Sequence, residues 1–372
     1  METRHKHWST FDILKGIAIW MIILVHSRQK FDGISSRLEI FAVGQMGCQL
    51  FFVISGMTSM MSLERLADGE HICRKFYKKR LMAVIPGWYI SIFLIYILNT
   101  ISLALFGTNI GFAVNREPLS VLCNLLLLQG LLPFCNNNVA GGGWFLGTLA
   151  VFYLAAPFCY RFMAKRRQNF VKYIPWFAET AAIVCITGLY VLTREKYGYA
   201  VLNNNGFVYF SFVNQMGCFL LGASLYFEKE PESITADKIL SVLDALLLLI
   251  VFFSEWKLAF VTAPFIMGLL GCHLLKCLRF MEKRNEDSFG KSRIMKILKA
   301  YGRSSYYIYL MHGLFVWSMP IAVQNLLHMR GWQVNGTLLY LCLIVPIFIL
   351  SYYAAILLGK MSAVMRKLFV RI

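Results

Sequence analysis

Long apolar runs, separated by short polar and basic segments, recur from Phe11 to the last few residues of the chain. Runs of about 18 or more such residues are long enough to cross a hydrocarbon core about 30 Å thick. The pattern predicts spans over 11–27, 41–62, 81–106, 143–163, 174–193, 206–227, 239–254, 258–278, 303–327 and 337–360. A further apolar piece, LSVLCNLLLLQGLLPF (119–134), is short and ends in a proline-containing LPF. The expected fold is all-α, a polytopic transmembrane helical bundle of about ten spanning helices plus one re-entrant or partial helix. Nothing between the spans is polar enough to form a separate soluble domain, so 1–372 is read as a single domain.

The polar segments set the orientation. ERLADGEHICRKFYKKR, RFMAKRRQNFVK, the stretch 279–303 and the C-terminal MRKLFVR are all basic. Basic loops favour the cytoplasmic side. If 119–134 crossed fully, the cluster Lys165, Arg166 and Arg167 would fall outside; if it does not, every basic loop falls inside. Both termini are therefore expected in the cytoplasm, with 119–134 only partly inserted. Its Asn124 and Gln129 should then face protein or water, because amides exposed to lipid are unfavourable. KSRIMKILKAYG (291–302) mixes basic and apolar residues at helical spacing and is expected to lie along the cytoplasmic surface. NNNVAGGG (136–143) reads as a flexible outer connection.

Composition agrees with a membrane protein: 58% of the 372 residues are hydrophobic and 15% charged. The net charge of +18 is explained by basic cytoplasmic loops, so no nucleic-acid partner is expected. The ten cysteines lack the paired spacing of zinc or redox motifs, and no metal is expected. The first run has no small-residue cleavage pattern, so it is read as a retained span rather than a removed signal.

Several spans carry polar residues that a lipid-facing helix would avoid. In FDILKGIAIWMIILVHS, Lys15 and His26 return to nearly the same face, about 16 Å apart along the axis. Asp12 lies within i,i+3 reach of Lys15. Snorkelling of Lys15 and capping by His26 would also account for this spacing. In the second span Gln45 and Gln49 are one helical turn apart, and Ser55 with Gly56 permits close helix approach. In GRSSYYIYLMHGLFVW, Ser305, Tyr309 and His312 fall at i, i+4 and i+7. Two histidines and a tyrosine within spans point to a catalytic or proton-handling cavity; simple buried hydrogen bonding is the alternative.

Taken in order, these segments resemble the membrane-bound acyltransferase family 3, which includes bacterial O-acyltransferases of surface polysaccharides. The family's first helix carries an arginine and then a histidine; KGIAIWMIILVH supplies Lys15 and His26. FFVISG resembles its FF-x-x-SG element, and RLMAVIPGWY, with Arg80 and Pro86, resembles its third-helix start. GGWFLGTLAVFYLAAP, from Trp144, and SSYYIYLMH resemble two further elements. Two departures stand out. Lysine replaces the arginine, losing a bidentate grip but keeping the charge, and the glutamate many members place after the tryptophan is missing. No appended extracytoplasmic hydrolase-like domain is expected.

The resemblance implies transfer of an acyl group, most often acetyl from cytoplasmic acetyl-CoA as co-substrate, to a hydroxyl of a carbohydrate or glycolipid acceptor outside. The implied setting is the bacterial cytoplasmic membrane, with membrane lipids as neighbours. Arg74, Lys75, Lys78, Lys79 and Arg80 form a cationic patch suited to CoA phosphates. Anionic lipid headgroups would suit the patch equally. His26 is the expected base or acyl carrier. His312 and Tyr309 join it as catalytic candidates, and Lys15, Gln45, Gln49, Ser55, Trp144 and Ser305 as substrate-binding candidates. Asp32, Glu39 and Glu255 are the carboxylates considered as orienting partners of His26. A transporter or flippase of a lipid-linked saccharide is the alternative class. It fits less well, because the chain shows no pair of interrupted helices in matching halves.

Overall fold

A computed structural model describes residues 8–31, 35–67, 69–107, 109–110, 114–197, 206–229, 231–254, 258–284 and 289–371. Among them there is no β-strand. Asp32 and Glu255 lie outside the described residues. The helices run α1 (Ser9–Arg28), α2 (Gly47–Glu64), α3 (Ile72–Phe106), α4 (Pro118–Leu125), α5 (Gly143–Ala164), α6 (Gln168–Val171), α7 (Ile174–Tyr197), α8 (Phe207–Phe210), α9 (Phe212–Phe227), α10 (Thr235–Phe253), α11 (Ala259–Arg284), α12 (Arg293–Val316), α13 (Ser318–Met329) and α14 (Gly336–Arg371). A 3-10 helix, Ser36–Met46, leads into α2.

Among the described residues nine helical stretches are long and apolar enough to cross a membrane: Ser9–Arg28, Leu38–Glu64, Ile72–Leu105, Gly143–Ala164, Gln168–Lys196, Phe207–Phe227, Ala259–Arg284, Arg293–Met329 and Gly336–Leu368. The protein is an integral membrane helical bundle. The predicted span 239–254 is α10, which is not among these nine: its first ten residues hold Asp237, Lys238 and Asp244, too much charge for the stretch to count as a crossing, so nine rather than ten crossing stretches are found among the described residues. The two aspartates turn towards α11, while Lys238 is exposed. His273 Nδ1 donates to Asp244 Oδ2 at 2.7 Å, and Lys276 Nζ lies 2.7 Å from Glu228 and 3.9 Å from Asp237. Leu243, Leu246, Leu247 and Ile250 of the same helix stay exposed, as a lipid-facing surface would.

The segment 119–134 contains only the eight-residue α4, followed by 3-10 turns at Leu128–Gly130 and Pro133–Cys135. Eight residues rise about 12 Å, too little to cross. Its amides do face protein. Asn124 Nδ2 donates to the carbonyls of Ser120 and Cys135 at 2.9 and 3.1 Å, and Gln129 Nε2 to that of Gly143 at 3.1 Å.

Three further expectations are corrected. The stretch 291–302 is no separate surface helix, because α12 runs unbroken from Arg293 through it. Gly302 is held inside that helix because its bare Cα lies against the Asp12 backbone, where any Cβ would overlap. The expected span 303–327 lies within the stretch Arg293–Met329 but is not one continuous helix, since it is interrupted at Trp317 between α12 and α13. The connection 136–143 is packed rather than loose: Val139 and Ala140 are buried, and Gly142 N donates to Asn137 Oδ1 at 2.7 Å.

The chain divides into two compact units. The first comprises the described parts of Met1–Ala18, Met46–Glu70 and Phe152–Arg303. Within it α2 and α9 pack through glycines. A Cβ on Gly222 would overlap the Val53 carbonyl, and one on Gly56 would overlap that of Phe219. Such backbone approach is how membrane helices gain dispersion contact without a hydrophobic driving force. Phe152 stacks on Phe219 at 5.0 Å and meets Phe52 edge-on at 5.2 Å. In α11, Pro264 has no N–H, so the Phe260 carbonyl loses its helical donor. Asn214 Nδ2 donates to that carbonyl at 3.4 Å.

The second unit comprises the described parts of Ile19–Gln45, His71–Val151 and Ser304–Ile372. Here Trp20 packs edge-on to Phe348 at 5.5 Å, and Phe31 to Tyr340 at 5.7 Å. Tyr306 Oη donates to the Val84 carbonyl at 2.5 Å, and Tyr307 Oη lies 3.2 Å from Ser362 Oγ.

Candidate active site

Three side chains of the second unit, His312, Trp317 and Gln29, meet His26 in the last turn of α1, and Tyr309 and Phe145 stand behind His312. The His312 ring centroid is 5.3 Å from that of His26, and the Trp317 ring is 5.4 Å away, edge-on. Tyr309 lies one turn before His312, its ring 5.6 Å distant. Phe145 closes on Tyr309 at 5.2 Å.

Hydrogen bonds decide which nitrogens carry protons. His312 Nδ1 lies 2.6 Å from the Tyr309 carbonyl, which only accepts. His312 Nδ1 therefore bears the hydrogen, and Nε2 is the bare nitrogen. Nε2 is buried and has no hydrogen-bond partner among the described residues. His26 Nδ1 lies 3.1 Å from Gln29 Oε1. Tyr309 Oη donates to the Gly142 carbonyl at 2.8 Å. Gly142 has φ +85°, and a Cβ there would stand 2.9 Å from Tyr309 Oη. Glycine is needed at this position on both counts.

Two imidazoles with unprotonated nitrogens, walled by Trp317 and Tyr309, make a site that can take a proton from a weakly acidic hydroxyl. Among the described residues no group of three or more His, Cys, Asp or Glu is placed to hold a metal ion.

Over residues 8–356 the sequence matches the family model for the acyltransferase 3 domain. The chain belongs to the acyltransferase 3 family. No curated protein and no solved structure matches it. As a family member it is a membrane acyltransferase, and the His26–His312 cluster is its candidate active site.

The other predicted site residues distribute as follows. Within the second unit, Ser305 is buried on α12, and Trp144 is buried in the first turn of α5. Arg74, Lys75, Lys78 and Lys79 are exposed on the first turns of α3, and Arg80 lies over the ring of the buried Phe76 at 5.2 Å. Gln45 belongs to the 3-10 helix and Gln49 to α2, so they do not share one α-helical face as expected. Within the first unit, Gln49 is buried, its Nε2 donating to Gln215 Oε1 at 2.8 Å and lying 3.4 Å from Tyr209 Oη. Ser55 is half-buried on α2, and Lys15 is half-buried on α1. Asp12, expected within reach of Lys15, accepts from Arg303 Nε at 3.1 Å.

Sequence reasoning missed Gln29 and Trp317, and looked for a carboxylate beside His26. Glu39 instead lies 3.8 Å from Arg28. The spacing of His26 and Gln29, i and i+3 at a helix end, was a legible signal for one contact. Trp317 was not legible, because its place depends on the break between α12 and α13.

Proposed function

We propose that this acyltransferase moves an acyl group, acetyl in the simplest case, from acyl-CoA to a hydroxyl of an extracytoplasmic carbohydrate or lipid-linked acceptor. His26 Nε2 takes the hydroxyl proton as the oxygen attacks the thioester carbonyl; the C–O bond forms, the C–S bond breaks, and the proton passes to the departing thiolate. A two-step route, with an acyl group carried on His26, uses the same atoms. His312, its Nδ1 hydrogen committed to a carbonyl, serves as an acceptor at Nε2. It helps orient the hydroxyl or the charged His26 rather than donating to an oxyanion. Tyr309 lines the site, and Ser305, Trp144 and Gln45 remain candidates for substrate contact.

The observation that carries the reading is the pair of imidazoles 5.3 Å apart in a membrane acyltransferase. The CoA phosphates are assigned to Arg74, Lys75, Lys78, Lys79 and Arg80, a charge density suited to phosphate. The orientation that serves this chemistry places both termini in the cytoplasm of a bacterial cell. Purified protein given acetyl-CoA and acceptor should release free CoA thiol, and His26→Ala should stop the release. A carrier of lipid-linked saccharides would release none with either protein.

A further inference from the structure

His26 is held by more than its own helix. The Gln29 Oε1 atom that meets His26 Nδ1 at 3.1 Å also meets Trp317 Nε1 at 3.4 Å. Indole N–H only donates, so the amide atom facing it is the carbonyl oxygen. An acceptor at that place obliges His26 to carry its hydrogen on Nδ1. The opposite amide orientation would set an NH2 against Trp317 and would invite the wrong tautomer at His26.

Trp317 is in turn fixed by glycines. A Cβ on Gly141 would stand 2.5 Å from Trp317 Cη2, and one on Gly313 would stand 2.8 Å from Cζ3. The indole thus sits in a slot between the 136–143 connection and α12. The edge-on approach of Trp317 to His26, 5.4 Å between centroids, restrains the imidazole's tilt as well.

We propose that Gln29 and Trp317 are positioning residues that lock His26 in its Nδ1–H tautomer, so that Nε2 is the lone-pair nitrogen available to the acceptor hydroxyl. This rests on the reading of His26 as the base. A tertiary lock takes the place of the carboxylate that orients histidine in other acyl-transfer sites. Gln29 is uncharged, so it sets the tautomer without adding a negative charge beside the ring. The lock joins the tip of α1, which carries His26, to the turn after α12.

The test uses full-length protein in nanodiscs with 15N-labelled histidine, the His26 signals being identified by comparison with His26→Asn. The wild type should show a protonated Nδ1 and a bare Nε2 at His26. Gln29→Leu should mix the tautomers and lower kcat about tenfold or more with KM for acetyl-CoA little changed. Gln29→Glu, a pure acceptor that cannot flip, should recover the Nδ1–H form and most of the lost rate. Trp317→Phe keeps the ring and removes the donor. It should lower kcat about fivefold with glutamine at 29, and much less in the Gln29→Glu background.

A wild-type His26 protonated on Nε2 would overturn the proposal, and so would an equal cost of Trp317→Phe in both backgrounds. The NMR readout stands apart from acyl transfer. A correct tautomer in a protein that releases no thiol would refute the proposed reaction while leaving the lock intact.

Discussion

Replacing Gly141 by alanine tests the site through a residue that has no chemistry of its own. The added methyl would stand 2.5 Å from Trp317 Cη2. Carbon atoms rest at about 3.5–4.0 Å, so the ring must withdraw by about 1 Å or more. The Trp317 Nε1 to Gln29 Oε1 distance is already 3.4 Å. A further ångström takes it beyond hydrogen-bond range and releases the amide that faces His26. Displacement of a reacting group by about 1 Å costs on the order of 10²-fold in rate. His26 itself is shifted less than Trp317, so the expected fall in kcat is about tenfold to 10²-fold, with KM for acetyl-CoA little changed. The assay is initial-rate release of CoA thiol in nanodiscs, with thermal unfolding followed in parallel. Gly188→Ala is the control, since a Cβ there meets nothing within 4 Å, and its rate should equal the wild type's. A Gly141→Ala protein of normal melting temperature and undiminished kcat would refute the argument that Trp317 is wedged against the 136–143 connection.

Gly222→Ala must push α9 from α2, because its Cβ would lie 2.6 Å from the Val53 carbonyl carbon. A loss of about 1–3 kcal/mol is expected, read as a lowered midpoint in detergent unfolding; an unchanged midpoint would show that the helices separate without strain. Asn214→Leu removes the donor that serves the Phe260 carbonyl left bare by Pro264, and should destabilise by about 1–3 kcal/mol. The double variant with Pro264→Ala should recover part of this, and no recovery would mean Asn214 acts elsewhere. Neutralising Lys78 and Lys79 to serine should raise KM for acetyl-CoA several-fold at low salt, with less effect as salt rises. An unaltered KM would remove the exposed α3 cluster from the donor site.

Much of the architecture was readable from local pattern. Apolar run length is a property of contiguous residues, so the spans and the short, proline-ended 119–134 emerged without tertiary knowledge. His26 and His312 stood out for a related reason, since ionisable groups within apolar runs are costly unless they serve something. That Asp244 would meet His273 across to α11 was not legible, because it depends on how the two helices pack.

The helical pattern misled where neighbours overrode it. Gln45 and Gln49 were set on one face by assuming an α-helix from 41 onward, yet the chain runs as 3-10 helix to Met46. The stretch 291–302 had the basic amphipathic signature of a surface helix, yet it continues into α12 with Gly302 pressed against the Asp12 backbone. The triple glycine at 141–143 looked like slack. Two of its members are small because Trp317 and Tyr309 occupy the space their side chains would need.

Sequence alone therefore determined that the chain crosses the membrane as a helical bundle and that its polar residues are few and costly. The tertiary structure decided which of them meet: His26 with His312, and Gln29 with Trp317, 288 residues apart. Apolar length is summed along the chain and needs no partner, whereas a tautomer is set by whichever donor or acceptor another segment brings within about 3 Å.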